Sequence, residues 1–398
     1  MLSMQEALSA LLQAATPIAE TERIATLQAN GRVLAVDIPA PFDVPAADNS
    51  QMDGYAVNSS EAQTDTPLPV SQRIAAGHVG VALLPGTAAR IFTGALMPAG
   101  ADAVVMQEQC QATDDGKTVQ LTHLPKAGEW VRHSGEDIRR NSIVLQAGTR
   151  LRAQHTGLAA SVGLAEIPVR RRLNVAVFFT GDELIMPGEP LPPGAVYNSN
   201  RYLLTALLEN CGCVISDYGI VPDSLEVTRS TLREAAQRHD VVLTSGGVSV
   251  GEEDHVKPAV QAEGKLNLWQ IAIKPGKPLA FGEVGNAFFL GLPGNPVSSF
   301  VTFLLFVRPF LLRLSGVEDV TPKSYLIRAD FDWIKPDRRN EFLRARHNGN
   351  GGLDLFPNQG SAVLSSTVWG DGLIDNPPGK AIQRGDLVRF IPFSELLS

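Results

Sequence analysis

Between Arg171 and Gly247 the sequence alternates apolar runs with helical periods in strict succession: LNVAVFFT, NSNRYLLTALLENCG, CVISDYGIV, SLEVTRSTLREAAQRH and DVVLTSGG. The apolar runs have no polar face, so the strands they form must be covered on both sides. Joined by helices, such strands pair in parallel, because a parallel connection needs a crossover long enough to hold a helix. The spacing therefore predicts a doubly wound α/β domain over 173–322. It continues through LWQIAIKPG, the hairpin-like PLAFGEVGNAFFLGL and a helix opening at GNPVSSF.

An open parallel sheet binds ligands beyond the carboxyl ends of its strands, where loops and helix amino-termini converge. Four motifs fall at such ends. TGDEL (Thr180–Leu184) follows the first strand, VPDS (Val221–Ser224) the second, TSGGVSVGEED the third and KPGKP (Lys274–Pro278) the fourth. Glu183, Asp223 and Asp254 are thus expected on one edge, with Lys274 and Lys277 beside them. Gly246 and Gly247 would let backbone N–H groups approach an anion with no Cβ between, and Ser245 and Thr180 in the same motifs are further candidate binding residues. GLPGNPVSS offers a second cradle: Asn295 suits the N-cap and Pro296 the first helical turn.

Carboxylates beside an anion site repel the ligand unless a divalent cation lies between them. Mg²⁺ is commonly held by one or two carboxylates together with phosphate oxygens. Glu183, Asp223 and Asp254 are therefore the candidate Mg²⁺ ligands, and the pattern points to metal-assisted chemistry on a phosphate. Singly, each residue has a plainer role. A Gly-Gly turn is often structural, and this one lacks the P-loop form G-x-x-x-x-G-K-[ST]. Asp223 suits a turn, Glu183 a helix start, and a lone lysine is a solvated charge. Convergence on one edge is what favours function.

The remaining chain has other textures. Residues 1–45 together with 138–172 form a mixed N-terminal lobe that would serve dimerisation, and 46–137 hold short β-like runs such as ARIFTGA and ADAVVM, a small β-rich insertion. Residues 323–398 are a C-terminal β-domain with SYLIRADF, EFLRARH and DLVRFIPF. NSQMDGYAV and HSGEDIRR place Asp53, Glu136 and Asp137 in loops bounding the insertion. The histidines show no H-E-x-x-H spacing and the cysteines no C-x-x-C, so no zinc site is expected.

With 34 Lys and Arg against 42 Asp and Glu, the net charge of −8 disfavours nucleic acid and anionic membrane as partners. The odd set Cys110, Cys211 and Cys213 fits a reduced, cytoplasmic chain. The apolar stretch Val297–Leu314 is interrupted by Ser298, Ser299, Arg308, Pro309 and Arg313, short of the roughly 20 clean residues that span a bilayer. It reads as a buried helix. MLSMQEALSALLQAATPIAE carries acids and lacks a basic leader, so it reads as an amphipathic helix and not a signal peptide.

Taken together, MDGYAV, TGALMPAGADAVV, GEDIR, TGDEL, YNSNRYLL, TSGGVSVGEEDH, IAIKPGKP and GLPGNPVSS, in that order, resemble the molybdopterin molybdenumtransferase family, which includes the C-terminal domain of gephyrin. The resemblance spans nearly the whole chain and implies four lobes per subunit in an elongated homodimer. It implies that adenylylated molybdopterin receives molybdate at its dithiolene while the adenylate is hydrolysed to AMP. By motif position it assigns Asp53, Asp137, Glu183, Asp223 and Asp254 to the acidic site, with Lys274, Pro293, Pro296 and, more loosely, Thr93 beside them. The site would lie between the sheet domain of one subunit and lobes of the other. Gln51 and Met52 before Asp53, and RHSGED, depart slightly from the family pattern. The molybdopterin adenylyltransferase is a further expected partner.

Two other readings stand beside this one. An adenylyltransferase that makes the adenylylated pterin would share the sheet domain and its TSGG turn, but the extra lobes and MDGYAV argue against it. A gephyrin-like scaffold would call for an additional partner domain.

Overall fold

The computed structural model describes residues 1–113, 115–247 and 255–397. At its centre is a six-stranded sheet of β1 (Asn174–Thr180), β2 (Val214–Val221), β3 (Val241–Ser245), β4 (Gly264–Gln270), β5 (Pro278–Val284) and β6 (Ala287–Leu292), in spatial order β2-β1-β3-β6-β5-β4. The pairs β1–β2, β1–β3 and β3–β6 are parallel. Alternation along β1 decides the layering. Val175, Val177 and Phe179 enter one core, and Ala176 and Phe178 the other.

Helix α1 (Met4–Ala14), α2 (Ser199–Asn210) and the helical segment α5 (Pro296–Leu314) cover the first face, while α3 (Leu225–Ala236) and α4 (Val256–Glu263) cover the second. This is the doubly wound arrangement that the apolar runs require. α5, long and apolar enough by composition to cross a bilayer, is 94% buried inside the protein. Phe303, Phe306 and Phe310 from it lie in the core.

Two expectations need correction. The LWQIAIKPG run does not continue the parallel set: β4 is the edge strand and pairs antiparallel with β5, which is itself antiparallel to β6. The cause is the β5–β6 hairpin, turned by Gly285 at φ 57° and Asn286, which reverses direction and leaves its far side for β4. KPGKP still lies at the carboxyl edge, because β5 begins where β4 and β6 end. Helix α1, grouped with the N-terminal lobe by its position in sequence, instead packs on the α/β domain through Ala7 and Leu11. Its start is fixed by a capping box, with Glu6 N–H donating to Ser3 Oγ (3.2 Å) and Ser3 N–H to Glu6 Oε2 (2.8 Å).

The N-terminal lobe pairs Thr21–Ala25 with Glu166–Arg170 and Ile38–Pro39 with Ile143–Leu145, around Leu34, Leu151, Ile167 and Val169. The insertion holds a six-stranded sheet from Gly54 to Leu121. There the glycine of MDGYAV has a steric reason: a Cβ on Gly54 would sit 2.0 Å from the Val105 carbonyl oxygen of the neighbouring strand.

The C-terminal domain is a sheet whose strand Asn340–His347 pairs in parallel with Ile273–Lys274 of the α/β domain, Lys274 opposite Glu341. Its Phe342, Leu373, Ile391 and Phe393 join the α/β core, so the two domains share apolar packing.

Candidate active site

A cleft of about 1000 Å³ opens at the carboxyl edge of the sheet and is walled on one side by the C-terminal domain. It is lined by Thr180, Glu183, Asp223, Ser245, Gly246, Gly247, Lys274, Lys277, Pro293, Asn295 and Pro296. The strand ends that sequence placed on one edge do meet. Asp254 lies outside the described residues.

The glycine turn after β3 is set by packing. Gly246 has φ +97°, and a Cβ there would lie 2.5 Å from the Thr180 carbonyl oxygen; Gly247 has φ +64°, with a Cβ 2.4 Å from Val256 Cγ2. Gly246 N–H donates to the Leu292 carbonyl (3.1 Å), so this amide is not the anion donor the sequence suggested. The second cradle is altered in the same way. Asn295 occupies the N-cap position in extended conformation but its side chain makes no cap bond, and Val297 N–H donates to the Ser361 carbonyl (3.0 Å) of the C-terminal domain.

A buried polar layer under the cleft holds these loops in register. Asn200 Nδ2 donates to Ser245 Oγ (2.8 Å) and to the Gly294 carbonyl (2.7 Å), and Ser245 Oγ donates to the Pro293 carbonyl (2.9 Å), as does Ser299 Oγ. Asn198 caps α2 by accepting from Arg201 N–H (3.1 Å). Ser245 therefore ties the TSGG turn to the GLPGNP loop and is buried, a role underneath the cleft as well as beside it.

The cationic wall is built across the domain boundary. Lys274 Nζ lies 3.3 Å from Glu341 Oε1 and 3.4 Å from Asp337 Oδ2. Glu341 is fully buried; its other oxygen accepts from Trp333 Nε1 (2.8 Å) and Asn376 Nδ2 (3.3 Å). Lys277 lines the cleft without an ion pair among the described residues. Lys274→Met leaves the buried Glu341 carboxylate without its ammonium. The expected loss is about 2 kcal/mol in urea unfolding, below the usual cost of breaking a buried pair because the ammonium is partly exposed. Wild-type stability in this variant would show that Glu341 does not depend on Lys274.

Glu183 and Asp223 both line the cleft. Among the described residues no three metal-binding side chains cluster, so a dedicated protein cage is not what these residues form. Two carboxylates facing a space that admits phosphate fit Mg²⁺, which completes its shell with water and phosphate oxygens.

Asp53, Thr93 and Asp137 do not line the cleft of their own chain. Asp137 is exposed and donates its N–H to the Val44 carbonyl (3.0 Å). Asp53 and Thr93 meet in the insertion, where Thr93 N–H and Oγ1 both donate to Asp53 Oδ1 at 2.8 Å. The Thr93 amide, then its hydroxyl, hold the Asp53 carboxyl below its usual range. A depressed folded pKa stabilises above the unfolded value, and that contribution is lost as pH falls through the folded one. Thr93→Val keeps the amide and removes the hydroxyl, so NMR titration should show the Asp53 pKa move up. An unchanged value would mean that the amide alone sets it.

Sequence reading passed over Asn198, Asn200, Arg339, Gln359 and Ser361, all of which line the cleft. YNSNRYLL, ahead of a helix, carried a usable signal for the two asparagines. The last three arrive from the C-terminal domain, and no local pattern marks them.

The chain matches models of the MoeA N-terminal region (domain I and II) over residues 2–163, a probable molybdopterin binding domain over 176–313 and the MoeA C-terminal region (domain IV) over 327–393. It is 39% identical over 405 residues to a molybdopterin molybdenumtransferase of Haemophilus influenzae, covering 100% of both chains. It is 38% identical over 389 residues to molybdopterin molybdenumtransferase 2 of Mycobacterium tuberculosis, covering 94% of each. Among solved structures it is similar to the molybdopterin biosynthesis MoeA protein of Pyrococcus horikoshii, with a TM-score of 0.84 at 30% identity, covering 98% of this chain and 100% of that one.

Proposed function

The chain belongs to the molybdopterin molybdenumtransferase family, transferases of molybdenum cofactor biosynthesis, and on that premise we propose that its cleft takes adenylylated molybdopterin and molybdate, inserts molybdenum at the dithiolene and hydrolyses the adenylate to AMP. The observation that carries this reading is a cleft lined by both carboxylates and lysines: Glu183 and Asp223 with Lys274 and Lys277. Hydrolysis of a phosphoanhydride breaks a P–O bond by attack of water, and the charge develops on phosphoryl oxygens.

Lys274 and Lys277 provide the donors for those oxygens and for the molybdate oxyanion. Glu183 and Asp223 would hold Mg²⁺ and orient the attacking water by accepting its hydrogen bonds; Asp254 is proposed as their third member. When bound, the cation neutralises developing charge on the phosphate and lets these carboxylates sit beside an anion. The buried layer of Asn200, Ser245 and Ser299 holds the TSGG turn and the GLPGNP loop in register, so the floor of the cleft is in place before the reaction begins. Chelation of divalent cations should reduce AMP release to background, with Mg²⁺ restoring it. Undiminished turnover in excess chelator contradicts the role given to Glu183 and Asp223.

Asp53, Thr93 and Asp137 enter the same reading through a homodimer, in which the insertion of one subunit completes the cleft of its partner. Mixed, subunit-exchanged Asp53→Ala and Asp223→Ala proteins should then recover about a quarter to a half of the activity that each lacks alone, since heterodimers keep one intact composite site. No recovery after demonstrated exchange removes the shared site.

A further inference from the structure

We propose that the protein carries a second small-molecule site, a groove at the amino edge of the central sheet that takes a phosphorylated, hydroxyl-bearing ligand of the sugar phosphate class. The groove has a volume of about 710 Å³ and lies where β1 and β3 begin, α3 and α4 end and the β5–β6 hairpin turns. The cleft lies at the opposite, carboxyl edge of the same sheet. Arg171, Arg233 and Arg238 line the groove against two carboxylates, Asp240 and Glu263. Every oxygen of these two carboxylates already accepts from a guanidinium. Arg171 Nη1 and Nη2 form a fork on Asp240, each at 2.8 Å, and Asn174 N–H donates to the same group (2.8 Å). Glu263 accepts from Arg229 Nε (2.9 Å) and from Arg233 through Nε (3.1 Å) and Nη2 (2.8 Å).

No carboxylate is therefore left over to attract a cationic ligand, while guanidinium donors remain for an anion. Arg233 Nη1 takes no part in the pairing with Glu263, and the exposed Arg238 side chain makes no hydrogen bond or ion pair among the described residues. The carbonyls at the end of α3 do not absorb this surplus: that of Ala235 already accepts from Arg238 N–H (3.2 Å) and from His239 Nδ1 (2.7 Å). His239 lines the groove, and its Nε2 has no partner among the described residues. Against a net charge of −8, this local excess of cations concentrates an anion in the groove. The volume is that of a site for a small organic ligand and exceeds what a bare phosphate needs. Gln237 and Asn286 add amide donors and acceptors that suit hydroxyls, and among the described residues no Phe, Tyr or Trp lines the groove to stack a nucleobase.

The test follows the Cε1–H NMR resonance of His239, identified by its loss in His239→Gln, because it reports from inside the groove. Titration of ribose 5-phosphate into the whole chain is expected to move it saturably, inorganic phosphate to move it with weaker affinity and ribose to leave it in place. Arg238→Gln is expected to weaken ribose 5-phosphate about tenfold and Arg238→Glu to remove binding. Arg238 has no side-chain partner to lose among the described residues, so both variants are expected to melt as the wild type does. Should either fail to fold, Arg233→Gln takes its place with the same expected loss, since Glu263 keeps Arg229. Lys274→Gln, in the cleft, is expected to leave the titration unchanged. No saturable shift up to about 10 mM, equal affinity for ribose 5-phosphate and inorganic phosphate, or wild-type affinity in the folded arginine variants overturns the proposal. A titration lost in Lys274→Gln but kept in Arg238→Gln assigns the anion to the cleft and overturns it as well.

Discussion

Asp223→Asn should lower AMP release about a hundredfold or more while the protein remains folded. Asp223 sits in the turn between β2 and α3, facing the cleft from the carboxyl edge of the sheet. At 4 Å, an uncompensated carboxylate and a phosphate oxygen bearing unit charge repel by about 4 kcal/mol at an effective dielectric of 20, enough to abolish useful affinity. The carboxylate is therefore an asset only when it holds a cation or orders water. Asparagine keeps the volume and the turn preference and removes the charge. A purely structural Asp223 predicts the opposite pattern, a lower melting temperature with turnover and Mg²⁺ dependence intact. Rate against Mg²⁺ concentration, with thermal melting alongside, separates the two, and a variant of full activity takes Asp223 out of the chemistry.

Gly247→Val should destabilise the protein by about 3 kcal/mol, and binding should fall mainly because the folded population falls. Two costs add. Its φ of +64° disfavours any side chain, and a Cβ would lie 2.4 Å from Val256 Cγ2 and 2.8 Å from Thr180 Oγ1. Val256 is in the core between the sheet and α4, so it has little room to retreat. Sequence alone suggests a glycine kept open for a ligand; the structure adds that the same glycine is required by packing at the strand end. Denaturant unfolding measures the loss. Wild-type stability together with lost ligand affinity would return Gly247 to a purely ligand-facing role.

The parts of this fold that repeat locally were legible. Val175, Val177 and Phe179 against Ala176 and Phe178 announce a strand covered on both faces, and the helical periods between such strands dictate parallel pairing. From that, the edge that gathers Glu183, Asp223, Lys274 and Lys277 follows. Strand direction at the sheet margin did not, since β4 has the same composition whether it pairs parallel or antiparallel; only the hairpin beside it decides. Nor did the docking of α1, whose Ala7 and Leu11 would suit any apolar face. Least legible was the wall that the C-terminal domain builds beside Lys274. Lys274 and Glu341 are 67 residues apart, and a contact between domains leaves no period in the sequence. NEFLRAR reads as an alternating strand, and nothing in it or in Arg339 just before it marks the wall of a cleft.

The most direct test follows both products of the proposed reaction in one vessel. Purified protein is given adenylylated molybdopterin, molybdate and Mg²⁺, and AMP and molybdenum-bearing cofactor are quantified together, with and without molybdate. The account predicts that the two appear in equal amounts and that AMP release depends on molybdate. AMP released without molybdenum entering the pterin, or adenylylated molybdopterin left unconsumed by folded protein, would contradict it.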